Sequence, residues 1–426
     1  MKAKTISKAR VAPLAFVFVS VGVLAFLAVL IALWNQPGLL LGDPYRPAAL
    51  LLAHGVAVGF AASVLFGASY LILPVMAATP LWSVRLGWLH AGTHLIGVAL
   101  LALSLAGMAW LHPFYGLAVL SIGYIAFSGN LMLTASRLNR WDPALLTVFF
   151  ALCWLALVAG LSLWLIFEQA AGDPRPYTAA LLEGQALVAL VGFFWLFLLG
   201  AALKILSMFL VSKMLPGPWT WLGLVLLNAA LFWIPLGTML RFEVTLPAGL
   251  LILAGSLCYG VDYLRLAWGS KRMWSGDLLT ATAALLLGVP LIAWAVAGMP
   301  LFVDVETLLW QEQARAYFAM GLLGCMALAT FGLGMRVVPF LVWQIRFLPL
   351  VGREPVPAAE SLIRMPARSA VFVCQLLGWM YLAAGQLWQN PVGTQLAVVC
   401  FVVGTLWAFV AILPALKCLL RKPAKP

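Results

Sequence analysis

All four histidines of the 426-residue chain fall in its first third, at His54, His90, His94 and His112. His54 stands in the stretch 53–76, AHGVAVGFAASVLFGASYLILPVM, where it is the only acidic or basic residue. Ala53 and Gly55 flank it, and Gly59 follows five positions on. Small neighbours let a flat group or another helix come close. An imidazole in so apolar a stretch is costly without a partner. Two readings follow: an axial ligand to a haem iron through a ring nitrogen, or a hydrogen bond to a neighbouring helix. His90 and His94, in WLHAGTHLIG, are four apart and share one face of a helix. Such a pair can hold a metal ion, or set one ligand beside a haem. Equally, His90 can lie near the cytoplasmic interface while His94 bonds across to another helix. No carboxylate lies near them in sequence to complete a metal site. His112, directly before Pro113, reads as an interfacial residue.

Few other residues offer chemistry. Glu183 and Gln185 open a long apolar run and either line a polar path or face headgroups. Lys204 and Arg336 come late in overlong runs, where they are expected to snorkel to the membrane surface or meet lipid phosphate or an acidic partner. The six cysteines have neither metal-ligand nor redox spacing, and read as small apolar fillers. No phosphate loop, nucleotide fingerprint or serine-hydrolase elbow is present.

The elements that must carry these residues are membrane helices. Hydrophobic residues make up 65% and charged residues 9% of the chain, a balance that excludes a soluble domain. Apolar runs of spanning length fall at about 11–34, 48–76, 86–111, 114–135, 143–167, 178–212, 219–241, 246–268, 277–298, 309–343, 369–388 and 392–419, which predicts twelve helices in a single transmembrane domain. The first run is too long for a signal-peptide core and lacks a small-residue cleavage site, so it is expected to be retained. Tryptophans such as Trp34, Trp82, Trp141, Trp219 and Trp388 sit near run ends and suit an aromatic belt.

The stretch around His54 recurs. Gly59, Phe66-Gly67 and Pro74 reappear 133 residues on as Gly192, Leu199-Gly200 and Ser207. They reappear again 132 further on as Gly324, Phe331-Gly332 and Pro339. A period of that length fits four membrane helices, so three units are predicted over about 11–135, 143–268 and 277–419. Same-direction units with an even number of helices stack about an axis along the membrane normal.

The net charge of +12 is a matter of orientation rather than of nucleic acid. With the N-terminus inside, 19 basic residues fall on inner ends and loops and 4 outside, with Lys204 and Arg336 left within helices. Asp43, Glu168, Asp173, Glu243, Asp304 and Glu306 fall on the outer side. Both termini are therefore expected in the cytoplasm of a bacterial inner membrane, with the lipid bilayer as the main partner.

Twelve helices in three arcs, with a histidine in the outer half of the second, resemble subunit I of the haem–copper oxidases. The segment HGVAVGFAASVLFGASYLILPVM is also similar to the short oxidase-subunit-I-like and NnrS-like membrane proteins. The resemblance implies that His54 corresponds to the second-helix ligand of a low-spin haem b. The sequence departs from the oxidases elsewhere. The sixth run reads LLEGQALVALVGFF in place of a His-Pro-Glu-Val-Tyr motif, the seventh has no histidine pair, and the tenth has no histidine. The resemblance thus implies no copper centre of the oxidase kind and no oxygen reduction by this chain alone. In the repeat frame His54 maps to Ala319, beside Met320. A methionine can complete a haem iron, so His54 with Met320 or with His94 is the expected ligand pair, and His90 with His94 the candidate metal pair. The implied role is haem binding in nitric-oxide or respiratory metabolism. A scaffold, assembly or partner subunit of a membrane complex, without cofactor and with other respiratory-complex subunits as its partners, is the first alternative. A small-molecule or metal transporter is the second.

Overall fold

The computed structural model describes residues 2–41, 46–76, 79–137, 141–170, 184–210, 217–240, 245–269 and 319–420. Among these, every regular element is helical, and eleven helices are long and apolar enough to cross a membrane. They are α1 (Lys2–Asn35), α2 (47–76), α3 (Val84–Leu105), α4 (Pro113–Ala135), α5 (Pro143–Ala170), α6 (184–210), α7 (Pro218–Leu240), α8 (Thr245–Trp268), α9 (319–346), α10 (Met365–Leu387) and α11 (Pro391–Leu420). The predicted run 277–298 lies outside the described residues, as do Glu183, Asp43, Asp173 and Asp304.

Boundary prolines open many of these helices. α4, α5, α7 and α11 each begin on one, and Pro47 starts α2. The ring costs little there, because the first turn has no use for that N–H. Side chains satisfy other first-turn donors. Ser83 Oγ accepts from Leu86 N (3.2 Å), and Asp142 Oδ1 from Leu145 N (2.8 Å).

Three helices are interrupted, and they are the three that carry the sequence repeat. α2 is π-helical over Gly55–Ala62, α6 over Val188–Trp195 and α9 over Ala319–Cys325. A π turn breaks the regular ladder and is uncommon enough that proteins use it mainly at functional positions. Each interrupted segment is rich in glycine and apolar residues, so its backbone can be approached closely.

α6 is the most enclosed span, with 89% of its apolar window buried, against 33% for α3, α10 and α11. It therefore lies at the centre and they at the rim. The rim presents large apolar side chains outwards, such as Ile96 of α3, Met380 of α10 and Val410 of α11. That surface suits lipid, which has no affinity for polar side chains. Trp34, Trp82, Trp141, Trp219 and Trp388 are all exposed near helix ends, as an interfacial belt requires.

The packing follows from where small residues fall. α1 lies along α2 and α5 along α6, while α3–α4, α7–α8 and α10–α11 pair as hairpins. A Cβ added to Gly116 of α4 would lie 2.6 Å from the Leu101 amide nitrogen of α3, and one added to Gly223 of α7 would lie 2.7 Å from the Gly255 oxygen of α8. Such close backbone approach is how helices gain packing energy in lipid, where burial alone drives little. At the centre, Phe66 of α2 packs on Phe193 of α6, ring centroids 5.7 Å apart. Between α6 and α9 a small apolar cavity is lined by Leu190, Phe194 and Trp195 on one side and by Leu322, Cys325 and Met326 on the other. The π segments of α2 and α9 approach within 8 Å, Cα to Cα.

Candidate functional site

The polar interior of the first helices gathers around α3. His90 and His94 are fully buried there, as their i, i+4 spacing allows. Their partners stand on α2, where Ser63 and Tyr70 lie seven apart and so share a face over two turns. Tyr70 Oη is 3.0 Å from His90 Nδ1, and Ser63 Oγ is 2.7 Å from His94 Nε2. Ser63 Oγ also donates to the Val58 carbonyl at 3.4 Å. A hydroxyl has one hydrogen, so it accepts from His94 Nε2–H, and the bare nitrogen of His94 is Nδ1. Phe18 of α1, Phe66 of α2 and Phe127 of α4 close around His90 at centroid distances of 4.7, 4.6 and 4.8 Å. The cross-helix bond expected of His94 is present, whereas His90, expected near the cytoplasmic interface, is instead fully buried and also bonds across to α2. The sequence reading passed over Ser63, Tyr70 and Tyr124. Each pair, Ser63/Tyr70 and His90/His94, shares one face of its own helix, and that was the available signal.

His54 is partly buried, and its Nδ1 lies 2.8 Å from the Leu50 carbonyl oxygen of its own helix. That bond fixes the tautomer, with Nε2 as the nitrogen able to ligate. The small residues beside it serve another helix. A Cβ on Gly55 would meet Val29 at 3.1 Å, and one on Gly59 would meet Ala25 at 3.0 Å. α1 thus takes the close approach that the sequence reading left open to a flat group.

Of the expected haem ligand pairs, His54 and His94 stand at different levels. His94 sits at the level of Ser63, nine residues along α2 from His54, which at a helical rise is roughly 13 Å. Met320 packs in a small cluster with Ala383 and Trp379. The space between α2 and α9 is filled by aromatic side chains. Phe26 of α1 lies 4.5 Å from Phe60 of the α2 π segment, 5.8 Å from Phe331 of α9 and 5.9 Å from Phe401 of α11. A porphyrin held from both sides needs its two ligand helices parted by its own thickness and two metal–ligand bonds. At the level of Phe60 and Phe331 the space between α2 and α9 leaves no gap of that width.

The remaining candidates are structural. His112 caps α4, its Nδ1 accepting from Phe114 N at 3.2 Å. Gln185 Nε2 donates to Ser162 Oγ of α5. Lys204 pairs with Asp142, and Arg336, only 8% exposed, with Glu360 at 3.2 Å. Both cations therefore meet carboxylates of their own chain. Asp262 of α8 was missed by the sequence reading, although an acid deep in an apolar run is a signal. Its Oδ2 accepts from the N–H groups of Gly217 and Thr220, both at 2.9 Å, and so holds the start of α7. Among the described residues no group of three or more His, Cys, Asp or Glu is close enough to share a metal ion. No family model matches the chain, and the sequence matches no curated protein.

Proposed function

We propose that this chain is an inner-membrane subunit of oxidase-subunit-I-like architecture, serving as a partner or scaffold in respiratory or nitric-oxide metabolism, without haem between its second and tenth spans. The observation that carries this reading is the aromatic filling between α2 and α9 by Phe26, Phe60 and Phe331. The architecture rests on the correspondence of the units. The three π segments fall at equivalent places in the sequence frame. Gly59 and Gly192 meet Ala25 and Trp154 at matching places on the preceding helix. On this reading the run 277–298 supplies the twelfth helix, three four-helix units surround one axis along the membrane normal, and both termini are cytoplasmic.

Gentle solubilisation from the native membrane tests the role. The chain should migrate in a complex well above its own 46.0 kDa, with any haem carried by other chains. A monomeric chain holding stoichiometric haem would contradict it. One observation favours a second reading, haem binding through His54: its Nδ1–Leu50 bond leaves Nε2 free to ligate. That reading requires α2 and α9 to part.

A further inference from the structure

Three aromatic rings in the α3–α4 hairpin form a nearly equilateral triangle. His90 and His94 lie 5.9 Å apart by centroid, His90 and Tyr124 6.2 Å, and His94 and Tyr124 6.1 Å. Each ring carries a buried polar atom with no hydrogen-bond partner: His90 Nε2, His94 Nδ1 and Tyr124 Oη. Ser128 Oγ, one turn from Tyr124, is a fourth. A buried polar atom left unpaired costs about 1–3 kcal/mol, so several in one place call for a partner such as an ion or ordered water. The contrast with the neighbouring helices is direct. In α5–α8, Trp154 donates to Asn228 (2.8 Å) and Trp195 to Ser256 (3.0 Å), and Thr147 bonds Tyr259 (2.6 Å). Gln386 and Thr394 in the α10–α11 hairpin also have unpaired atoms, but an amide and a hydroxyl do not select metals.

We propose that His90, His94 and Tyr124 form a three-donor site for one divalent transition-metal ion of the zinc class. Two imidazoles sharing an ion at metal–nitrogen bonds of about 2 Å place their ring centroids roughly 5–6 Å apart, as His90 and His94 are. Each histidine already has its other nitrogen engaged, by Tyr70 and by Ser63. That is the arrangement that orients a ligating imidazole. The donors are neutral and the site excludes water, so a divalent ion needs a compensating negative charge. Tyr124 supplies it. On binding, the phenol proton leaves to solvent and the phenolate oxygen joins the ion, leaving one net positive charge. Gly123, beside Tyr124, keeps α4 close to the His90 ring, since a Cβ there would meet His90 Cδ2 at 3.3 Å.

The test loads the purified full-length protein with Zn²⁺, removes free metal by desalting and measures retained zinc. Co²⁺ serves as the optical probe of the same site. Wild type should retain about one ion per chain. Tyr124→Phe, His90→Gln and His94→Gln should each weaken binding roughly tenfold or more, while His54→Gln and His112→Gln bind as wild type does. Circular dichroism checks that the variants keep their helices. If a histidine variant fails to fold, X-ray absorption of zinc-loaded wild type decides, because two imidazoles should appear in the scattering. Wild type that retains no metal overturns the proposal. So do Tyr124→Phe and folded histidine variants that bind as wild type does, or an absorption spectrum without imidazole.

Discussion

Gly67 of α2 and Gly200 of α6 meet the same point on the helix that precedes each. A Cβ on Gly67 would lie 2.8 Å from the Ala15 carbonyl oxygen of α1, and one on Gly200 would lie 2.8 Å from the Ala144 carbonyl oxygen of α5. The next contacts correspond as well: Phe18 and Val19 beside Gly67, and Thr147 and Val148 beside Gly200. Both glycines belong to the motif read from the sequence, and their role is to seat one transmembrane backbone on another.

Substitution at either should therefore be felt alike. Gly67→Val and Gly200→Val should each cost about 1–3 kcal/mol through overpacking against backbone that cannot retreat. Gly129→Ala in α4 is the control, since no atom lies within 4 Å of its Cβ position. Thermal unfolding in detergent reads the difference. A Gly67→Val protein as stable as wild type would contradict the close approach.

The Trp154–Asn228 bond predicts a coupling. Asn228→Leu leaves the buried Trp154 N–H without its acceptor and should cost about 1–2 kcal/mol. In Trp154→Phe the same substitution should cost less, because no donor is stranded. A double-mutant cycle measures the difference, and strictly additive effects would mean the bond contributes nothing.

Helix existence was legible because apolar length decides it. The prolines at 113, 143 and 391, where helices begin, were legible too, since proline fits the first turn at little cost. The repeat glycines marked the three helices that later proved π-helical, but nothing in their spacing announced the π turns, which arise from backbone packing between helices. The site was harder. His90 and His94 were visible by spacing. Tyr70, Ser63 and Tyr124 come from other helices, and which faces meet is settled by packing. The snorkelling expected of Lys204 and Arg336 missed Asp142 and Glu360, which no local pattern links to them.

The charge split predicts the orientation. Single cysteines replacing Asp43 and Asp173, in a background without the six native cysteines, should react with an impermeant maleimide in intact spheroplasts. A cysteine at Lys425 should react only after lysis. The reverse pattern would invert the topology.

Capping of α7 by Asp262 gives a local prediction. Asp262→Ala removes the acceptor for the Gly217 and Thr220 amides and should cost about 1–2 kcal/mol. Amide exchange should rise over 217–220 and stay unchanged in α3 and α4. Uniform exchange across the chain would show that the carboxylate does not hold this end.

The filling between α2 and α9 is tested most directly by the optical spectrum of the chain purified alone, after expression with ample haem supply. The structure predicts no Soret band in wild type. His54→Ala should leave the spectrum unchanged. A Soret band near one haem per chain, abolished by His54→Ala and kept by His112→Ala, would contradict the account and put His54 at a haem iron.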